Sequence, residues 1–131
     1  MIVVDSNIVA YLYLPSTCTE RAESLLSADS EWAAPILWRS EFRNILTGYL
    51  RRKLLSFDHA IEIQSEAESL LLGAEYEIES ARVLALARDS ACSAYDCEFI
   101  ALAMKLNSRL VTMDRALLRA FPNCTRPLPT A

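Results

Sequence analysis

The chain has 131 residues, the length of one domain, and reads as a single unit spanning 1–131. Hydrophobic residues make up 53% and charged residues 23%, a balance that excludes an intrinsically disordered chain. Asp and Glu number 17 against 13 Lys and Arg, and the formal charge of -4 excludes a polybasic nucleic-acid coat while leaving room for locally segregated charge.

Ile2-Val3-Val4 is a short β-branched run ending at Asp5-Ser6-Asn7, and it predicts a buried strand. Pro15 and Thr19 predict a break followed by a short helix. After Pro35, the residues Phe42, Ile45, Leu46, Tyr49 and Leu50 recur at helical spacing and lead to a basic end, Arg51-Arg52-Lys53, which suits the helix dipole. Ser56 predicts the cap of a helix through Ala60 and Ala67, Gly73 falls in a connection, and Ile78 to Arg88 reads as another helix. Ser93 precedes a helix carrying Phe99, Ile100, Ala103 and Met104 that ends near Asn107-Ser108. Arg109 to Met113 reads as a second buried strand, again followed by an aspartate, Asp114. The three prolines after Phe121 make residues 122–131 an extended edge or a loose tail.

Two buried strands separated by helices predict an α/β fold with a parallel sheet covered on both faces. Only two glycines occur, which argues against a glycine-rich phosphate loop and against a dinucleotide fingerprint. Cys18, Cys92, Cys97 and Cys124 show no CxxC pair and no metal-ligand spacing, and no signal-like leader precedes them, so a reducing cytoplasm is expected. The apolar runs fall short of the roughly 20 residues needed to cross a bilayer.

The chemistry lies in the acids. In open parallel folds ligands sit beyond the carboxyl ends of the strands, where Asp5 and Asp114 both stand. Asp96 opens its helix on the same face as Phe99, Ile100 and Ala103, and Glu41 bears a like relation to Ile45. Four such carboxylates gathered together would raise one another's pKa unless a hard cation lay between them, and Mg²⁺ or Mn²⁺ suits an all-oxygen set. Setting those four aside leaves acidic and basic residues equal in number, so one pocket can hold the whole formal excess. Ser6, Asn7, Asn44 and Thr112 are candidate supporting donors, and Arg39, Arg43 and Arg115 are candidate contacts for substrate phosphates. Such a pocket points to phosphodiester hydrolysis, which needs no protein nucleophile.

Each acid also has a purely structural reading. Asp5 and Asp114 stand where N-caps stand, and Asp96 lies beside the Ser93 cap. His59 reads as an exposed helix residue, Cys92 and Cys97 as small packing groups, and Trp32 and Trp38 as packing or partner-contact residues.

The ordered set Ile2-Val3-Val4-Asp5-Ser6-Asn7, Glu41-Phe42-Arg43-Asn44, Ala94-Tyr95-Asp96 and Leu110-Val111-Thr112-Met113-Asp114 resembles the PIN domain, and more closely the VapC type of toxin ribonuclease from toxin–antitoxin pairs. The resemblance covers nearly the whole chain. It implies a three-layer α/β/α sandwich around a parallel sheet of four or five strands. It also implies that Asp5, Glu41, Asp96 and Asp114 form a pocket for Mg²⁺ or Mn²⁺, with endonucleolytic cleavage of RNA by metal-activated water. A homodimer and a cognate antitoxin partner are implied as well. Cys97 departs from the small residue common after the aspartate, and the direction of the adjacent Glu98 is open. The rival readings are a noncatalytic PIN-like module that binds RNA or protein and a housekeeping RNA-processing nuclease. An aspartyl phosphotransferase is disfavoured, because Asn7 stands where it would often carry a second aspartate.

Overall fold

The computed structural model describes residues 1–130. Five strands, β1 (Ile2–Val4), β2 (Trp32–Pro35), β3 (Glu75–Tyr76), β4 (Leu110–Val111) and β5 (Thr125–Arg126), form one sheet in the order β3-β2-β1-β4-β5. Every pairing is parallel. A parallel sheet is stable only with both faces covered, which is why the helices between the strands are apolar on one side. The resulting three layers are those expected, with the strand count resolved at five.

The helices are α1 (Ser6–Tyr13), α2 (Thr19–Ala28), α3 (Trp38–Arg51), α4 (Phe57–Leu70), α5 (Ser80–Arg88), α6 (Ala94–Lys105) and α7 (Arg115–Ala120). Helix α6 lies against β1, β2 and β4, with α5 packed on it, while α1 to α4 pack on one another. The side chain of Ser56 accepts from the His59 amide and that of Ser93 from the Asp96 amide, so both predicted caps form. Gly73 sits at φ +83°, a conformation that strongly favours glycine and lets the chain turn from α4 into β3.

The core combines aliphatic side chains, many of them leucine and alanine, with a few aromatic rings. Val3, Val4, Ile8, Trp32, Trp38, Phe42, Ile100 and Leu110 are all buried, and the Trp38 and Phe42 rings meet edge to face at 5.6 Å. Both tryptophans are therefore core residues. Cys97 packs with Val83 and Ala101 in a smaller cluster between α5 and α6, to which Cys92 adds a half-buried side chain. His59 is exposed on α4, as its sequence context indicated.

Strands β2 and β3 have no clear signature in the sequence. Trp32-Ala33-Ala34-Pro35 contains two alanines and ends in proline, and Glu75–Tyr76 is only two residues long. The tail resolves partly into β5, which pairs with β4 through Leu110–Thr125 and Val111–Arg126. Leu128 beyond it is buried, so the segment up to that point is anchored to the sheet. Ala131 lies outside the described residues.

The topology fixes where a site can form. From β1 the chain moves outward through β2 and β3 on one side, then returns to place β4 on the other side of β1. The crevice between β1 and β4 is thus the point at which the strand order reverses, where open α/β sheets bind ligands.

Candidate active site

Strand register brings the first two acids together. Val4 pairs with Val111, and the Asp5 amide donates to the Val111 carbonyl at 3.1 Å, so Asp5 and Thr112 leave their strands side by side. The buried Thr112 hydroxyl donates to Asp5 Oδ2 at 2.7 Å and accepts from the Asp114 amide at 3.0 Å. One side chain therefore links the acids that follow both strands.

Asp5 and Asp114 both occupy N-cap positions but use them differently. Asp114 caps α7, its Oδ1 accepting from the Ala116 and Leu117 amides. The Asp5 side chain makes no capping bond to α1 and turns instead to Thr112. The structural reading thus holds for Asp114 alongside its place in the cleft, and it fails for Asp5.

Glu41 lies in the first turn of α3 and Asp96 in the first turn of α6. Ser6, at the start of α1 and almost fully buried, donates to Glu41 Oε1 at 2.7 Å, which pulls the α3 carboxylate toward the β1 end. All four acids then line one cleft of about 440 Å³, together with Ser6, Asn7 and Asn44. Tyr11, Ile45 and Met113 complete its wall and were not anticipated. Tyr11 is four residues beyond Asn7 on α1, so recognising that helix would have placed it on the same face.

The acids sit at four helix N-termini, whose positive dipole ends offset part of their repulsion. Burial still dominates. It pushes the Asp5 carboxyl above its ordinary value, with hydrogen bonds from Thr112 and Ser6 opposing and the charges of Asp96 and Asp114 adding to the rise. Glu41 is raised by burial, against the Ser6 hydrogen bond, and further by Asp5, Asp96 and Glu98. Asp96 is raised by burial and by Asp114, against Ser93. Each of these acids therefore gains from a cation placed among them.

The donor set fits a hard divalent cation in kind, since the four acids offer carboxylate oxygens and Glu41 and Asp114 each keep one of them without a protein donor among the described residues. The fit is not a finished cage. Among the described residues no group of three or more His, Cys, Asp or Glu side chains stands close enough to hold a metal ion together. The four expected acids thus share one open cleft. Separate anchors on Thr112, Ser6 and the α7 amides hold Asp5, Glu41 and Asp114 in place.

The three arginines fare differently from the acids. Arg39 is withdrawn from the candidate phosphate contacts, because its guanidinium bonds both oxygens of Glu75, at 2.6 and 2.7 Å, and reaches Glu68 at 3.0 Å. Glu75 also accepts from the Trp38 indole, so this network ties α3 to β3 and α4. Arg43 and Arg115 are exposed beside the acid-bearing turns but do not line the cleft. Glu98 lines a separate shallow cavity with Ile78, Ser80, Val83 and Leu84.

A parallel α/β/α sandwich with an acidic cleft at its switch point defines a class of protein, and sequence comparison agrees with it. The chain matches the PIN domain family over residues 2–121 and belongs to that family, in its VapC-like branch. It is 33% identical over 130 residues to ribonuclease VapC3 of Pyrobaculum aerophilum, covering 96% of this chain and 98% of that protein. The fold is shared with a chain of a toxin–antitoxin complex from Klebsiella pneumoniae, at a TM-score of 0.71 and 16% identity over 100% of both chains. PAE2754 from Pyrobaculum aerophilum has the same fold at a TM-score of 0.76 and 20% identity, over 97% of this chain and 83% of that one. No helix among the described residues is long and apolar enough to cross a membrane.

Proposed function

We propose that the cleft hydrolyses RNA phosphodiester bonds with Mg²⁺ or Mn²⁺, and that the protein is the toxin of a cytoplasmic toxin–antitoxin pair. The observation that carries this reading is the meeting of Asp5, Glu41, Asp96 and Asp114, from four separate stretches of chain, in one cleft. Similarity to a curated ribonuclease supports the hydrolase activity. The fold shared with a chain of a toxin–antitoxin complex supports a cognate antitoxin partner. We also infer a homodimer, by resemblance to the VapC type.

The four carboxylates are the groups that would hold the cation. When bound, the cation supplies a Lewis acid that neutralises phosphate oxygens and lowers the pKa of water. Thr112 and Ser6 orient the Asp5 and Glu41 carboxylates from behind, a supporting role that fixes which oxygens face the cleft. Asn7 and Asn44 present amide donors from the cleft wall, where they can bond phosphate or ribose oxygens. Arg43 and Arg115 lie outside this wall and reach phosphates of the flanking strand.

The test is incubation of the purified full chain with transfer RNA, ribosomal RNA and unstructured RNA, with Mg²⁺, Mn²⁺ or a chelator. Cleavage that needs the metal and disappears in D5N and D96N, with circular dichroism unchanged, is the expected result. Cleavage that survives both substitutions rejects the assignment. Metal-dependent RNA binding without turnover would favour the noncatalytic module.

A further inference from the structure

Four of the five tyrosines, Tyr11, Tyr13, Tyr49 and Tyr76, pack against the main core, whereas Tyr95 packs against neither core cluster and is 64% exposed. Exposure alone is ordinary, as Phe57 at 68% shows, so what distinguishes Tyr95 is its position next to a cleft acid. Tyr95 immediately precedes Asp96 in the first turn of α6, a turn held by the Ser93 cap, so the backbone that carries the ring is fixed next to that of Asp96. It lines a second, open cleft with Leu37, Ser40, Glu41 and Asn44. Glu41 and Asn44 also line the acidic cleft, so the two clefts are neighbours that share a wall.

The charge of the two clefts narrows what can sit against that ring. No lysine or arginine lines either cleft, so the protein offers a nucleic acid no direct cationic grip there. Affinity in a cleft of this kind has to come from the bases as well as from the backbone. Stacking on an aromatic face supplies it for any base, provided the base is not already stacked in a duplex. Trp32 and Trp38, the other aromatics considered for this purpose, are buried in the core.

We propose that Tyr95 is a stacking platform that holds an unpaired nucleotide beside the scissile phosphate. The proposal rests on the nuclease reading above and adds a positioning residue to it. The Tyr95 ring, rather than its hydroxyl, is the working part.

The experiment uses the full chain carrying D5N, which blocks cleavage, in Mg²⁺ buffer. A short fluorescent oligoribonucleotide of mixed sequence is the probe, alone and annealed to its complement. The single strand binds more tightly than the duplex. Adding Y95A weakens single-strand binding about tenfold to a hundredfold. Y95F and Y95W retain it, and the unfolding midpoint does not move. In the cleavage-competent chain, Y95A raises KM more than it lowers kcat. Unchanged single-strand affinity in Y95A overturns the proposal, as does an equal loss in Y95F or failure of the D5N chain to bind either form. A changed oligomeric state with unchanged RNA affinity also overturns it and makes Tyr95 a protein contact. Failure of the nuclease reading is seen separately, as absence of cleavage by the unsubstituted chain, and leaves the binding comparison readable.

Discussion

The Thr112 hydroxyl donates to Asp5 Oδ2 at 2.7 Å, across the paired strands β1 and β4. The Thr112 hydroxyl oxygen in turn accepts from the Asp114 amide, so a single buried side chain links two acids 109 positions apart in sequence. Removing it separates positioning from charge. In T112V the cleavage rate falls roughly tenfold to a hundredfold, the usual cost of losing a supporting hydrogen bond to a ligand. Unfolding free energy falls by only about 1 kcal/mol. T112S restores the rate, as measured by steady-state kinetics alongside chemical denaturation.

Charge at Asp5 is predicted to oppose folding in metal-free buffer. Its carboxyl is raised chiefly by burial, so the folded state holds the proton more tightly than the unfolded state does. The associated stability is fully present below the ordinary aspartate value of 3.8 and is lost as pH rises through the raised value. At neutral pH, D5N therefore unfolds at an equal or higher temperature than the unsubstituted chain, because its amide oxygen still accepts from Thr112. D5A loses that bond and about 1 kcal/mol. Thermal melts in chelator distinguish the two, and a large destabilisation in D5N would refute the electrostatic account.

Added cation is expected to stabilise the fold by binding among the four acids. Mg²⁺ or Mn²⁺ raises the melting temperature in a concentration-dependent manner, because a ligand that binds only the folded state stabilises it. A chelator reverses the gain, and D96N reduces it. Calorimetric titration that finds no binding at millimolar metal would count against the cleft as a cation site.

Ser6 tunes Glu41 through one hydrogen bond. That bond holds the Glu41 carboxyl lower than burial alone would leave it, so S6A raises it further. Since a higher carboxyl value requires a higher pH for ionisation, the acid limb of the rate profile moves toward neutral pH. A profile of kcat/KM against pH that does not move in S6A would show that Glu41 ionisation does not limit the reaction.

Arg39 is predicted to matter for stability alone. Its guanidinium and the Trp38 indole hold the Glu75 carboxyl below the ordinary value of 4.5, so that stability is present above 4.5 and is lost as pH falls through the lowered value. R39A costs roughly 1–3 kcal/mol at neutral pH, the range for hydrogen bonds to charged groups. It also makes stability less sensitive to acid, while kcat is retained. A loss of turnover in correctly folded R39A would return this residue to the phosphate-contacting set.

The sequence by itself determined the alternation of buried strands and amphipathic helices, the Ser56 and Ser93 caps, and the acids at strand and helix starts, because these depend on local periodicity and capping. It also carried the ordered motifs of the family. Strand β2 escaped because its two alanines and terminal proline carry little β propensity, and β3 because two residues set no pattern. Only the tertiary structure decided that Asp5 turns to Thr112 while Asp114 caps α7, and that Arg39 pairs with Glu75. It alone left Tyr95 in the open beside the acids. Those outcomes depend on which partner lies within hydrogen-bond reach, and strand register and helix packing, not spacing along the chain, set that distance.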